Sequence, residues 1–163
     1  NHDENSWNGT IEERYGETGD AMAVLAATLL DMPLIYSGQE AGLSKRLRFF
    51  EKDTVIWGDY PKADFYRQLN ELHHTRKALW NGDFGGAPEL LSTTRDDVVL
   101  AYQKQKDNST VVVVLNLSDE PTDVALTLPE ADLELVMGEG APQEWGAGRK
   151  VEAFGYAVLA TKE

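Results

Sequence analysis

Hydrophobic positions divide the chain into a helical half and a strand-rich half. Residues 1–17 are mostly polar and carry Gly9 and Gly16, which predicts a loop with at most one short helical turn. Thr18 is then a candidate N-cap, with Asp20 placing negative charge in the first turn. The run Ala21 to Leu30 is apolar on nearly every face, which predicts a helix covered on most sides and ended by Pro33. Leu34-Ile35-Tyr36 is short, apolar and β-prone, as in a parallel strand buried on both faces, and Gly38 stops it. Residues 41–61 read as a loop, basic at Lys45, Arg46 and Arg48, then aromatic at Phe49, Phe50 and Trp57. A second helix is predicted from Lys62 to Leu79. Phe65, Leu69, Leu72 and Leu79 form one apolar stripe, with the stem of Arg76 lying along it. Asn81-Gly82 closes it.

Past Gly85-Gly86-Ala87-Pro88 the period changes to two. Strands are predicted at Glu89–Thr94, Val98–Gln103, Thr110–Leu117, Asp123–Leu128, Leu133–Met137 and Phe154–Ala160. Arg95-Asp96-Asp97 and Lys106-Asp107-Asn108 supply turns between the first three. Short antiparallel strands at this spacing predict a small all-β sandwich. A lone parallel strand needs neighbours on both edges, so the first half reads as the α/β remnant of a TIM barrel: its last helices and strand. The expected organisation is residues 1–84 as the incomplete end of a (β/α)8 barrel and residues 85–163 as the antiparallel sandwich.

Composition narrows the function. With 15 basic and 28 acidic residues the net charge is −13, which speaks against nucleic-acid partners and against anionic membranes. No stretch approaches the length of a membrane helix. There is no cysteine, so disulfides and thiolate zinc sites are excluded, while the compartment stays open.

Four segments in order carry a family resemblance. Asn1-His2-Asp3 resembles the Asn-His-Asp motif that follows the seventh barrel strand in the α-amylase family of glycoside hydrolases. Asp31-Met32-Pro33-Leu34-Ile35-Tyr36-Ser37-Gly38-Gln39-Glu40 resembles that family's Gly-x-Pro-x-Ile-Tyr-x-Gly-x-Glu segment at the eighth strand, with Asp31 where glycine is usual. Residues 69–79 are similar to the eighth helix, and 153–159 to the closing strand of the C-terminal β-domain. The resemblance implies a retaining α-glucan-acting enzyme that hydrolyses α-1,4-glucosidic bonds in starch or maltodextrin. It implies that Asp3 is the carboxylate that stabilises the transition state, and that His2 hydrogen-bonds the bound sugar, with Asn1 beside it. The physics agrees: positive charge grows on the sugar ring, and a fixed anion lowers that barrier. A retaining pair stands roughly 5 Å apart across the anomeric centre, and no nucleophile and acid/base pair with family context is present here. The expectation is therefore that further segments lie upstream and that this chain alone is inactive. No cofactor is called for; the family's calcium ligands fall mainly in other segments, so calcium use is not legible here.

Trp7 and Asn8 follow the motif. Both are candidates for lining a sugar subsite, Trp7 by its ring face, with packing of their own loop as the alternative. Tyr36 and Glu40 read as structural, Arg46 and Arg48 as surface. His73-His74 face different directions on a helix and make no metal pair. Three Asn-x-Ser/Thr triplets, at Asn8, Asn108 and Asn116, match glycosylation acceptors. Trp145 in its glycine-rich setting reads as loop or core packing, with a sugar platform as the rival. A second functional class follows from that rival: a non-catalytic carbohydrate-binding or stabilising β-module. The expected partners are an α-glucan oligosaccharide and the upstream part of the polypeptide. The uncovered apolar face of residues 1–81 further predicts self-association.

Overall fold

The computed structural model describes residues 1, 3–29, 32–142, 145 and 148–162. His2 and Asp31 lie outside the described residues. After a π-helical turn at Glu4–Asn8 come α1 (Ile11–Tyr15) and, through a 3-10 turn, α2 (Gly19–Leu29). Thr18 does not cap α2: it sits in the 3-10 turn and its Oγ1 donates to the Tyr15 carbonyl. The cap in this region is Thr10. Its hydroxyl accepts from the Glu13 amide at 3.1 Å while the Glu13 carboxylate accepts from the Thr10 amide at 2.8 Å. This reciprocal box satisfies two amide donors that a helix start leaves open.

The strand expected at Leu34–Tyr36 is not formed. The segment belongs to no regular element, no described strand pairs with it, and Leu34 is 67% exposed. A strand without a neighbour has no ladder to join. Residues 41–61 are irregular, as expected. The second long helix, α3 (Ala63–Thr75), stops four residues early because Arg76 is extended (φ −96°, ψ 103°), and the chain resumes as a 3-10 turn at Lys77–Leu79. The bend still buries Leu79 with Leu69 and Leu72. The Arg76 guanidinium donates to the Thr161 carbonyl at 3.2 Å rather than only lying along the helix.

The β half follows as β1 (Pro88–Leu90), β2 (Val99–Lys106), β3 (Ser109–Asn116), β4 (Thr122–Val124), β5 (Leu133–Glu139), β6 (Arg149–Val151) and β7 (Tyr156–Thr161). All described ladders are antiparallel. One sheet has the order β1-β2-β3-β7-β5, and β4 pairs with β6 in a second, smaller sheet. Two expected strands are shorter than read: beyond Leu90 and Val124 only a single bridge, Thr93 to Leu126, remains. β6 was not expected.

Alternation on β2, β3 and β7 gives the main sheet two apolar faces. Tyr102, Val111, Val113, Leu115, Val158 and Ala160 belong to one cluster with Ala21, Val24 and Ala27 of α2, Leu69 and Leu72 of α3, and Leu79. Val99, Ala101, Val112, Val114, Ala157 and Leu159 belong to another with Val124 and Val151 of the small sheet. The result is three layers: helices, five strands, two strands. A polar knot closes the second interface. Asn116, fully buried, donates to the carbonyls of Glu120, Val151 and Glu152, and its Oδ1 accepts from Ser118. That burial takes one of the three Asn-x-Ser/Thr triplets away from any glycosylating enzyme.

Candidate functional site

The residues after the motif form the π-helical turn, and the structure ties this turn to a distant loop. Asn1 Oδ1 accepts from the Glu4 amide at 3.1 Å, and the Asn1 carbonyl accepts from the Asn5 amide at 3.0 Å. Asn5 is buried; its Nδ2 donates to the Lys45 carbonyl at 3.2 Å and its Oδ1 accepts from the Leu47 amide at 2.8 Å. Ser6 Oγ donates to the Leu47 carbonyl at 2.7 Å. A buried amide that satisfies both a donor and an acceptor of another segment fixes that segment's register. Ion pairs continue the attachment: Arg46 reaches Glu13 at 2.8 Å, and Arg14 reaches Glu4 at 3.1 Å. Arg46 is therefore not simply a solvated surface cation. Its guanidinium, aided by the Thr10 amide, holds the Glu13 carboxyl below the usual carboxylate range. Inside the loop the Lys45 ammonium, with the Thr54 and Arg48 amides, holds the Asp53 carboxyl well below that range. Gly9 closes the turn at φ 119°, and a Cβ there would meet Glu13 Oε2 at 3.0 Å and Arg46 Nη2 at 3.2 Å.

Asn1, Asp3 and Trp7 are all exposed. Asn1 lines a cleft of about 440 Å³ whose other walls include Met22, Leu25 and Leu29 of α2 with Tyr36 and Leu43. Trp7 belongs instead to an aromatic group, its ring centroid 5.3 Å from that of Phe49 and 6.0 Å from that of Phe50. That cleft is lined by Asn1 and not by Asp3 or Trp7. Tyr36 and Glu40 serve their own turn: the Tyr36 amide donates to Gln39 Oε1 at 2.6 Å, and the Gly38 amide to Glu40 Oε2 at 3.1 Å. Trp145 packs half-buried against the cluster shared with the small sheet, with its indole nitrogen buried. Among the described residues no group of three or more His, Asp or Glu could hold a metal ion, and no helix is long and apolar enough to cross a membrane. Reading the sequence missed Asn5, Ser6 and the convergence of Phe49-Phe50 on Trp7. The visible signal was an amide and a hydroxyl directly after the motif, and an aromatic pair set inside a charged run.

No protein-family model matches the sequence. Over 142 residues the chain is 33% identical to alpha-amylase MalA of Haloarcula japonica; the match takes in 85% of this chain and 20% of that protein, so the chain spans about a fifth of its relative's length. Among solved structures, trehalose-6-phosphate hydrolase of Bacillus licheniformis superposes with a TM-score of 0.67 at 15% identity, covering 98% of this chain and 42% of that one. The maltogenic alpha-amylase AmyB of Thermotoga neapolitana gives 0.65 at 16% identity, covering 90% and 37%. The debranching enzyme of Nostoc punctiforme gives 0.64 at 18% identity, covering 88% and 31%. These structures share the fold, and the sequence match carries the kinship: the chain belongs to the α-amylase family of glycoside hydrolases.

Proposed function

We propose that this chain is the C-terminal part of a retaining α-glucan-acting glycosidase of the α-amylase type. Residues 1–84 complete its (β/α)8 barrel and residues 85–163 form its β-domain. The observation that carries the reading is Asn1-His2-Asp3 at the head of a rigidly tied turn, inside a stretch that matches an α-amylase at 33% identity. In this reading Asp3 faces the sugar cation that forms as the α-1,4 bond breaks, and its charge stabilises that state. His2 and Asn1 hydrogen-bond the sugar hydroxyls, and Trp7 offers a ring face. The nucleophile and the acid/base come from upstream segments, so the chain by itself turns over no glucan. Those segments also cover the apolar cleft on α2; without them the exposed face drives self-association.

The test is Asp3→Asn in the polypeptide joined to its upstream part. Turnover of maltoheptaose falls on the order of 10²–10³-fold, the size of loss seen when one transition-state contact is removed. Wild-type turnover in that variant refutes the reading, as does turnover by the 163-residue chain alone.

A second reading, the β-domain as a non-catalytic module, is supported in its stabilising form by the core that the main sheet shares with α2 and α3. The packing of Trp145 speaks against its carbohydrate-binding form. Titration of maltoheptaose into wild type and Trp145→Ala separates the two: equal heats remove Trp145 as a platform.

A further inference from the structure

We infer that Trp7, Phe49 and Phe50 form a glucose-stacking subsite on this chain, taking pyranose rings of an α-glucan next to the turn that begins at Asp3. The inference rests on the glucan reading above and extends it to a part of the site that the motif does not contain.

Three observations carry it. The rings are open to solvent: Phe50 is 84% exposed, Trp7 57% and Phe49 39%. They are also grouped. Phe49 and Phe50 stand edge to face at 4.8 Å, and Phe50 meets Trp7 at 65°. Exposed apolar groupings of this kind mark binding surfaces rather than ordinary surface. Finally, the loop that presents the rings is held in advance. Asn5 and Ser6 bond Lys45 and Leu47 directly, and Asp53 binds Lys45 and the Arg48 amide across the loop's base. A surface ordered before its ligand arrives does not spend ordering entropy on binding.

The setting of the rings favours a sugar over a covering protein segment. Phe49-Phe50 is embedded in Arg48-Phe49-Phe50-Glu51-Lys52-Asp53. Arg48 and Glu51 pair at 2.7 Å while both remain about two-thirds exposed. A protein face laid over the rings would strip water from these charges. A pyranose ring presents an apolar C–H face to the aromatic group and a rim of hydroxyls to the charges around it. One molecule thus satisfies both kinds of neighbour.

The test uses the 163-residue chain, because every residue of the subsite and of its support lies within it. Maltoheptaose is titrated into isotopically labelled protein, and the Trp7 indole N–H, assigned by its loss in Trp7→Phe, is followed by NMR. Saturable shifts of that signal are expected, unchanged by Trp145→Ala. Phe50→Ala weakens the affinity roughly tenfold, the equivalent of leaving about 50 Å² of apolar surface in water. Phe50→Tyr, which keeps the ring, retains it. Phe50→Leu, which keeps apolar bulk without the flat face, loses most of it and guards against an effect of folding. No shift of the Trp7 signal at any sugar concentration, or equal affinity in Phe50→Ala, overturns the inference. So do shifts that grow with protein concentration alone and vanish in Phe50→Ala, since a second copy then covers the rings. None of these outcomes depends on turnover, so the subsite and the role of Asp3 stand or fall separately.

Discussion

The attachment of α2 to the main sheet can be tested through one buried hydrogen bond. Thr28 and Tyr102 are each 1% exposed, and their hydroxyl oxygens lie 2.6 Å apart. Thr28 Oγ1 also donates to the Val24 carbonyl at 2.7 Å. A threonine hydroxyl has one proton, so Tyr102 must be the donor between the two. The two deletions are therefore unequal. Tyr102→Phe removes the donor and leaves Thr28 bonded to Val24, at a cost of about 1 kcal/mol. Thr28→Val removes the same bond and strands a phenol in an apolar core, which raises the loss to about 2–3 kcal/mol. In the double variant nothing is stranded, and the loss returns to about 1 kcal/mol, a coupling of roughly 2 kcal/mol. For a chain of this size 1 kcal/mol moves the melting midpoint by about 2–4 °C. Urea and thermal unfolding, followed by far-UV and near-UV circular dichroism together, give the four free energies. Equal and additive losses refute the donor assignment. Separate transitions for helix and sheet signals refute the shared core itself.

The alkaline limit follows from the buried phenols. Burial first, then Asp20 and Glu40, pushes Tyr66 up to about 12 from an ordinary value of 10.0. Burial pushes Tyr102 and Tyr156 up further. A raised folded value means that the neutral phenol is favoured by folding, so this stability is complete below pH 10 and drains away as pH climbs toward 12. Spectrophotometric titration should show three phenols that ionise late and together with unfolding; fully reversible early ionisation of all six tyrosines contradicts the burial. Asp53 works in the opposite direction. Its folded value is depressed by Lys45, so its contribution is present above the ordinary 3.8 and is lost as pH falls below it. Trp7 fluorescence should change in that acid range, as the loop loosens and the phenylalanine rings leave the indole, and Asp53→Asn should remove the change. Gly9→Ala should cost about 1–3 kcal/mol locally, from positive φ and from the contact with Glu13 and Arg46, and should speed amide exchange in the 45–54 loop without moving the β2–β3 amides.

The parts of the fold legible in the sequence were those where burial leaves a period. The cores of α2 and α3, the β2–β3 hairpin and β7 each repeat an apolar pattern over two turns or three pleats. Failures came where a long-range partner decides. Leu34-Ile35-Tyr36 has the composition of a buried strand, yet composition supplies no neighbour to pair with. Arg76 sits in helical phase, but its bond to Thr161 fixes it outside the helix. β6 carries Arg149 and Lys150 on exposed positions and one buried valine, too few apolar residues to register. At the site, the motif was legible because it is local. The joining of Asn5 to Lys45 and Leu47, and of Trp7 to Phe49, was not, because nothing in either segment alone names the other.

The two ends of the helical half are held by different forces, and this has a consequence for the proposed site. Toward the β half the attachment is mainly apolar: α2 and α3 share a buried cluster with Tyr102, Val113 and Leu115, supplemented by the Thr28–Tyr102 hydroxyl pair and by the bond from Arg76 to the Thr161 carbonyl. Toward Asp3 it is polar: the turn, the 45–54 loop and α1 are joined by Asn5, Ser6, Glu13 and Arg46. The two meet where α1 runs into α2, at Gly19, where a Cβ would come within 2.9 Å of the Ile11 side chain. On the proposed reading a strand-rich domain follows the barrel because it is the base of this path. The sheet fixes α2, α2 fixes α1, and α1 holds Arg46 through Glu13, so that the loop and the turn carrying Asp3 inherit their position. Along this path salt weakens the Arg46–Glu13 link, since exposed ion pairs are screened while neutral hydrogen bonds and apolar contacts are not. Loss of order at Asp3 without loss of the sheet is therefore the mode of failure that this architecture favours.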